Sequence, residues 1–134
     1  MALMNVPPVL SVDVEDSMDI MIARDTARRA ADLLGFTTAC KAQLAAAVAA
    51  LAETILKANS EGTIHLNGVR DVGSKLGIQV SCEAEWLHTL PRDEVNQIHE
   101  KLSKMVDKVE MVDQNPPMVT LLFWLLPARQ VKEA

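Results

Sequence analysis

Residues 43–66 read QLAAAVAALAETILKANSEGTIHL. Leu44, Val48, Leu51 and Ile55 recur at three and four, the spacing of one helix face. Alanine, the strongest helix former, fills most of the positions between them. The spacing predicts a helix over about residues 39–58, closed by Asn59-Ser60-Glu61-Gly62. From residue 63 the period changes to two, with Ile64 and Leu66 on one face and His65 on the other, which predicts a strand over 63–67.

Upstream, Ile20, Ala23, Ala27, Ala30, Ala31 and Leu34 make a second helical stripe over 19–34. Asp16 and Ser17 offer N-caps and Gly35 a C-terminal stop. VLSVDV at 9–14 alternates as a short strand before it. Downstream, 68–75 is a polar connection, and 76–83 is a strand with Ile78, Val80 and Cys82 on one face. Pro91 and Asp93 open a third helix whose stripe is Val95, Ile98, Leu102, Met105, Val106 and Val109. Residues 109–113 and 118–126 are strands joined by an Asn115-Pro116-Pro117 turn, and the polar tail from 127 is expected to fray. Strand, helix, helix, hairpin, helix, hairpin predicts an α/β two-layer sandwich: a mixed, mostly antiparallel sheet with about three helices on one face. The expected organisation is a single domain over 1–134 with its core in about 9–126.

Composition narrows the function. Thirteen Lys and Arg stand against eighteen Asp and Glu, a formal net charge of -5, which argues against a phosphate-tracking surface. Aromatic residues are 3% and tyrosine is absent, so base-stacking platforms are not expected either. Cys40 and Cys82 fit neither a disulfide framework nor a zinc site. No secretory signal is visible, and the apolar run 118–126 is far short of the roughly 20 residues that span a bilayer. The expectation is a cytoplasmic protein with neither nucleic acid nor membrane as a partner.

Residues 19–36, DIMIARDTARRAADLLGF, together with 43–66, resemble the small bacterial anti-sigma and switch-protein serine kinases of partner-switching systems. These belong to the histidine-kinase-like ATPase superfamily. The first stretch resembles the family's opening helix, with Ala23-Arg24, Ala27-Arg28 and the closing Leu34-Gly35-Phe36. The second resembles the helix that carries the SELARN motif, followed by Gly62 and a strand. The likeness covers about residues 9–126. It implies the histidine-kinase-like ATPase fold and a regulatory protein partner, either a switch protein of the anti-anti-sigma kind or a sigma factor.

The motifs that handle nucleotide in that family are altered here. A Glu that activates the attacking hydroxyl and an Asn four residues later that binds magnesium correspond to Ala50 and Thr54, and the intervening Arg to Glu53. Alanine cannot act as a general base. The Asp of the family's Asp-x-Gly-x-Gly loop falls on Ala84, in a segment with Trp86 and no glycine. The glycine-rich lid has no counterpart: the five glycines end at Gly77, and the chain between Trp86 and the last helix is too short for it. The resemblance therefore implies relict nucleotide-site positions at Ala50, Thr54 and Ala84, with no catalytic residue and no cofactor. The protein would then be a non-catalytic regulatory protein-binding module, pseudokinase-like. The alternative is an active serine kinase using ATP and magnesium through atypical motifs.

Other residues bear on partners. Ala47, Ala50 and Thr54 form a small-residue row that either packs closely on a neighbour or lines a relict cleft. Glu83, Glu85, His88, Asp93 and Glu94 match no metal-ligand spacing, and no nucleophilic triad is readable. Arg24 and Arg28 lie one turn apart, either as a solvated face paired with Asp25 and Asp32 or as a protein contact. In the last strand Val119, Leu121, Phe123 and Leu125 take one face, while Leu122, Trp124 and Leu126 take the other. A one-sided sheet shows polar residues there, so Leu122 and Trp124 are expected to be covered by a partner, a second copy or the N-terminal segment.

Overall fold

The computed structural model describes residues 3–131. Its elements run β1 (Met4–Val14), α1 (Met18–Leu34), α2 (Thr38–Lys57), β2 (Gly62–Arg70), β3 (Leu76–Glu83), α3 (Trp86–Thr89), α4 (Arg92–Ser103), β4 (Lys108–Val112) and β5 (Met118–Trp124), then a 3-10 turn at Pro127–Arg129. The five strands form one sheet in the order β1-β2-β3-β5-β4. Every neighbouring pair is antiparallel, so the sheet expected to be mixed and mostly antiparallel is antiparallel throughout. The β4–β5 hairpin folds back to place β5 beside β3 and leaves β4 at the edge.

Alternation sends Val12, Val14, Ile64, Leu66, Ile78, Val80, Cys82, Val119, Leu121 and Phe123 to the helix-covered face, where they are buried. Ala23, Ala27, Ala30 and Ala31 of α1 and Leu44, Val48, Leu51 and Ile55 of α2 meet them. Alanine on the inner side of α1 lets that helix lie close to its neighbours, which suits a dense interior. α2 buries Leu44, Val48, Leu51 and Ile55 together with most of the alanines between them, which makes it the central core helix. Burial raises the Cys82 thiol, with Glu83 adding to the effect, to about 12.

The ends of the elements differ from expectation in instructive ways. β1 starts at Met4, five residues earlier, because the chain continues along β2 after a register shift between Val6 and Val9. Gly68 makes that possible: a Cβ there would lie 2.6 Å from the Pro7 carbonyl oxygen and 2.7 Å from that of Val6. At the start of α1, Ser17 holds the N-cap position without a side-chain bond. The capping is done by Asp16, whose Oδ1 accepts from Met18 N, and by Asp19, whose Oδ2 accepts from Glu15 N and Asp16 N. Gly35 ends α1 at φ 88°, and Phe36 N donates back to Ala31 O. The third helical stripe is shallow: Leu102 is the buried residue of α4, while Val95 and Ile98 are half-exposed.

The tail does not fray within the described residues. Arg129 donates from Nη1 to Asp107 Oδ2 at 2.7 Å and to Trp124 O at 3.0 Å, and from Nη2 to Asp107 Oδ1 at 3.1 Å. Its guanidinium lies 4.4 Å from the Phe123 ring centroid. Trp124 N donates to the same Asp107 Oδ2 at 2.7 Å. Thr37 N donates to Arg129 O and Val131 N to Gly35 O, fastening residues 129–131 to the α1–α2 corner. Residues 132–134, also expected to fray, lie outside the described residues.

Candidate functional site

Of the three positions expected to be relict, Ala50 and Thr54 meet in a cleft between α2 and α4. Ala50 and Thr54 sit one turn apart on α2, and Leu90, Ile98 and Leu102 close the far side of a cavity of about 300 Å³. The small-residue row thus reaches the wall of a cleft at Ala50, itself only 8% exposed, and at Thr54, while Ala47 is fully buried. Thr54 Oγ1 donates to the Ala50 carbonyl at 2.9 Å, so the hydroxyl is engaged with its own helix. Lys57 and Lys101 line the cleft, and so do Glu53 and Glu94; the two signs balance and leave no excess positive charge for a polyphosphate. The first turn of α4 carries Asp93 and Glu94, carboxylates that already compensate its N–H dipole.

Ala84 is not part of this cleft. It is fully buried, and its N–H donates to Pro117 O at 2.8 Å. Two residues later Trp86 is 1% exposed and belongs to the core, which corrects its reading as a loop residue. Where a base-binding loop would follow β3, the chain makes the four-residue α3. Only Leu90 and Pro91 then separate α3 from α4. Trp86 is the residue that reading by pattern missed: its neighbours Glu83, Glu85 and His88 are all exposed. Glu83, Glu85 and Trp86 line a separate depression with Glu61 and His65. His88 contacts Asp113. Among the described residues no three His, Cys, Asp or Glu side chains come together as a metal site.

Arg24 and Arg28 stand over a neighbouring groove of about 320 Å³, which shares Ala50, Glu53 and Lys101 with the cleft and is floored by Ala42, Ala45, Ala46 and Ala49. Arg28 approaches Asp25 at 3.8 Å, but Asp32 pairs with Lys41 at 2.8 Å instead. Arg24, Arg28 and Lys101 against Glu53 make this a positive patch on an acidic chain.

On the other side of the sheet, Leu122 and Trp124 point away from the helices as alternation requires, and both are half-buried. Lys75 Nζ sits 4.3 Å from the Trp124 ring centroid, an attraction typical of cation–π pairs. Gly77 opposite provides the space: a Cβ there would come within 2.8 Å of the ring. Leu3, Lys108 and Glu110 share the surrounding depression.

No family model matches the chain, and no curated protein matches it. A solved structure does: the crystal structure of the RsbU and RsbW domains of Rv1364c from Mycobacterium tuberculosis. The likeness has a TM-score of 0.62 at 16% sequence identity, over 94% of this chain and 35% of that one. The chain thus spans about a third of that protein's length, and at this identity the likeness concerns fold. An antiparallel five-stranded sheet carrying its helices on one face, superposable on that structure, is a two-layer α/β sandwich.

Proposed function

We propose that this protein is a non-catalytic regulatory module of a partner-switching pathway, binding a switch protein or a sigma factor in the cytoplasm. One observation carries the reading. The helix that would hold a catalytic acid and a magnesium ligand offers Ala50 and a Thr54 hydroxyl already bonded to the Ala50 carbonyl. The loss of the base loop to α3 and the immediate start of α4 support it. The fold shared with a structure that contains an RsbW domain supports the regulatory class.

The partner contact is assigned to the groove under Arg24 and Arg28, with its three cations and alanine floor. A positive groove favours acidic segments and speeds their encounter. Leu122 and Trp124 form a second contact on the helix-free face.

The kinase reading retains one observation in its favour, the cleft itself, with Lys57 and Lys101 on its walls. Titration calorimetry with millimolar Mg-ATP separates the two. The expected result is no saturable heat, and a micromolar dissociation constant would establish the kinase reading instead.

A further inference from the structure

The depression that Trp86 shares with three glutamates has no role in anything described so far. It lies where α2 turns into β2 and β3 runs into α3, and its volume is about 370 Å³. It shares no lining residue with the cleft or with the groove under Arg24 and Arg28. Glu61, Glu83 and Glu85 are exposed around it with His65, and among the described residues neither Lys nor Arg lines it. None of the three carboxylates has an ion-pair partner among the described residues. Trp86 closes the inner wall. It is 1% exposed, and its indole N–H has no hydrogen-bond partner. A buried donor left unpaired is costly, and a buried Trp N–H ordinarily finds an acceptor.

We infer that this depression binds an arginine residue of a partner chain, with the guanidinium among the glutamates and a backbone carbonyl accepting from Trp86 Nε1. Three unpaired carboxylates call for a cation. Among the described residues no three His, Cys, Asp or Glu side chains come together on one ion, so the cation must be extended. A guanidinium presents five donors in a planar fork and addresses separated carboxylates, whereas an ammonium is a compact point charge. Ile55 and Met118 give the wall an apolar part, against which the methylenes of an arginine stem can pack. The indole N–H needs an acceptor, and an anionic one would meet three like charges. The acceptor is therefore neutral, which a peptide carbonyl is and the carboxylate of a free amino acid is not.

The test titrates the full chain with Nα-acetyl-arginine N-methylamide, an arginine residue flanked by neutral amides. The two tryptophans give two indole N–H signals in a proton–nitrogen NMR spectrum, and Trp124→Phe assigns them. Millimolar probe should move the Trp86 signal saturably and leave that of Trp124 in place. Glu83→Gln and Glu85→Gln should each weaken binding about threefold, and the double variant about tenfold. Both positions are exposed, and circular dichroism will verify that each variant is folded. Butylguanidine has no carbonyl, and free arginine carries a carboxylate in its place; both should bind at least about fivefold more weakly than the probe. The matching lysine derivative should also bind more weakly. Two results would overturn the inference outright: a Trp86 signal that the probe leaves unmoved, or binding indifferent to both glutamine substitutions. Butylguanidine or free arginine binding as tightly as the probe would overturn the peptide carbonyl, and the lysine derivative doing so would overturn the guanidinium.

Discussion

Asp107→Ala should expose how the end of the chain is held. The carboxylate accepts from both Arg129 nitrogens and from Trp124 N. The Arg129 and Asp107 side chains are 22% and 26% exposed. Hydrogen bonds to a charged group contribute about 1.5–3 kcal/mol each when buried. Water reaches this site, so the lower end applies to the guanidinium pair, and the orphaned Trp124 N–H costs about 1 kcal/mol. The loss should be about 2–3 kcal/mol, which for a domain of this size lowers Tm by roughly 6–10 °C. Burial raises the Asp107 carboxyl, but the Arg129 and Trp124 hydrogen bonds and the charges of Arg129 and Lys75 outweigh it and hold it below 3.8. A carboxyl that titrates lower when folded stabilises fully above the unfolded value and loses that contribution as pH falls through the folded one. Urea unfolding of wild type and variant should therefore show a constant gap from neutral pH to about 5 that closes below about 4. A gap under about 0.5 kcal/mol at neutral pH, the level of an ordinary surface substitution, or one that widens on acidification, would refute the clamp.

On the proposed function, Ala50→Glu combined with Thr54→Asn should confer neither ATP binding nor turnover, since β3 runs directly into α3 and α4 and no glycine follows Gly77; steady phosphate release by the double variant would show an intact site. Gly68→Ala should cost about 1–3 kcal/mol, because the added methyl meets the Val6 and Pro7 carbonyls; unchanged urea stability would mean that β1 does not run alongside β2 there. Of the two free cysteines, Cys40 should react with a thiol reagent in the native protein and Cys82 only after unfolding. Equal rates for both would contradict the burial that raises the Cys82 thiol.

The two helices and three of the strands were legible because their periods are clean. Ile64 and Leu66, Ile78 to Cys82, and Val119 to Phe123 alternate strictly, and a face defined at period two has one way to be buried. The residue types on which the proposed function rests, Ala50 and the absence of glycine after residue 77, are also read directly from the sequence. Less accessible were features made by residues far apart in the chain. Residues 4–8 did not read as strand because Pro7 and Pro8 break the pattern, and the space they need comes from Gly68 on the next strand. The tail looked free because its polar residues show no period, yet Arg129 is held by Asp107 and Phe123.

The sequence by itself determined where the two long helices and the cleanly alternating strands run and which of their faces are apolar, and it placed Ala50 and Thr54 one turn apart on α2. Only the tertiary structure decided that Trp86 is core, that Ala84 is sealed against Pro117, and that Ala50 and Thr54 open on a cleft instead of packing shut. The physical reason is that periodicity reports how one element is wetted on its two sides. Depth, clefts and clamps depend on which elements end beside one another, and chain order alone leaves that open.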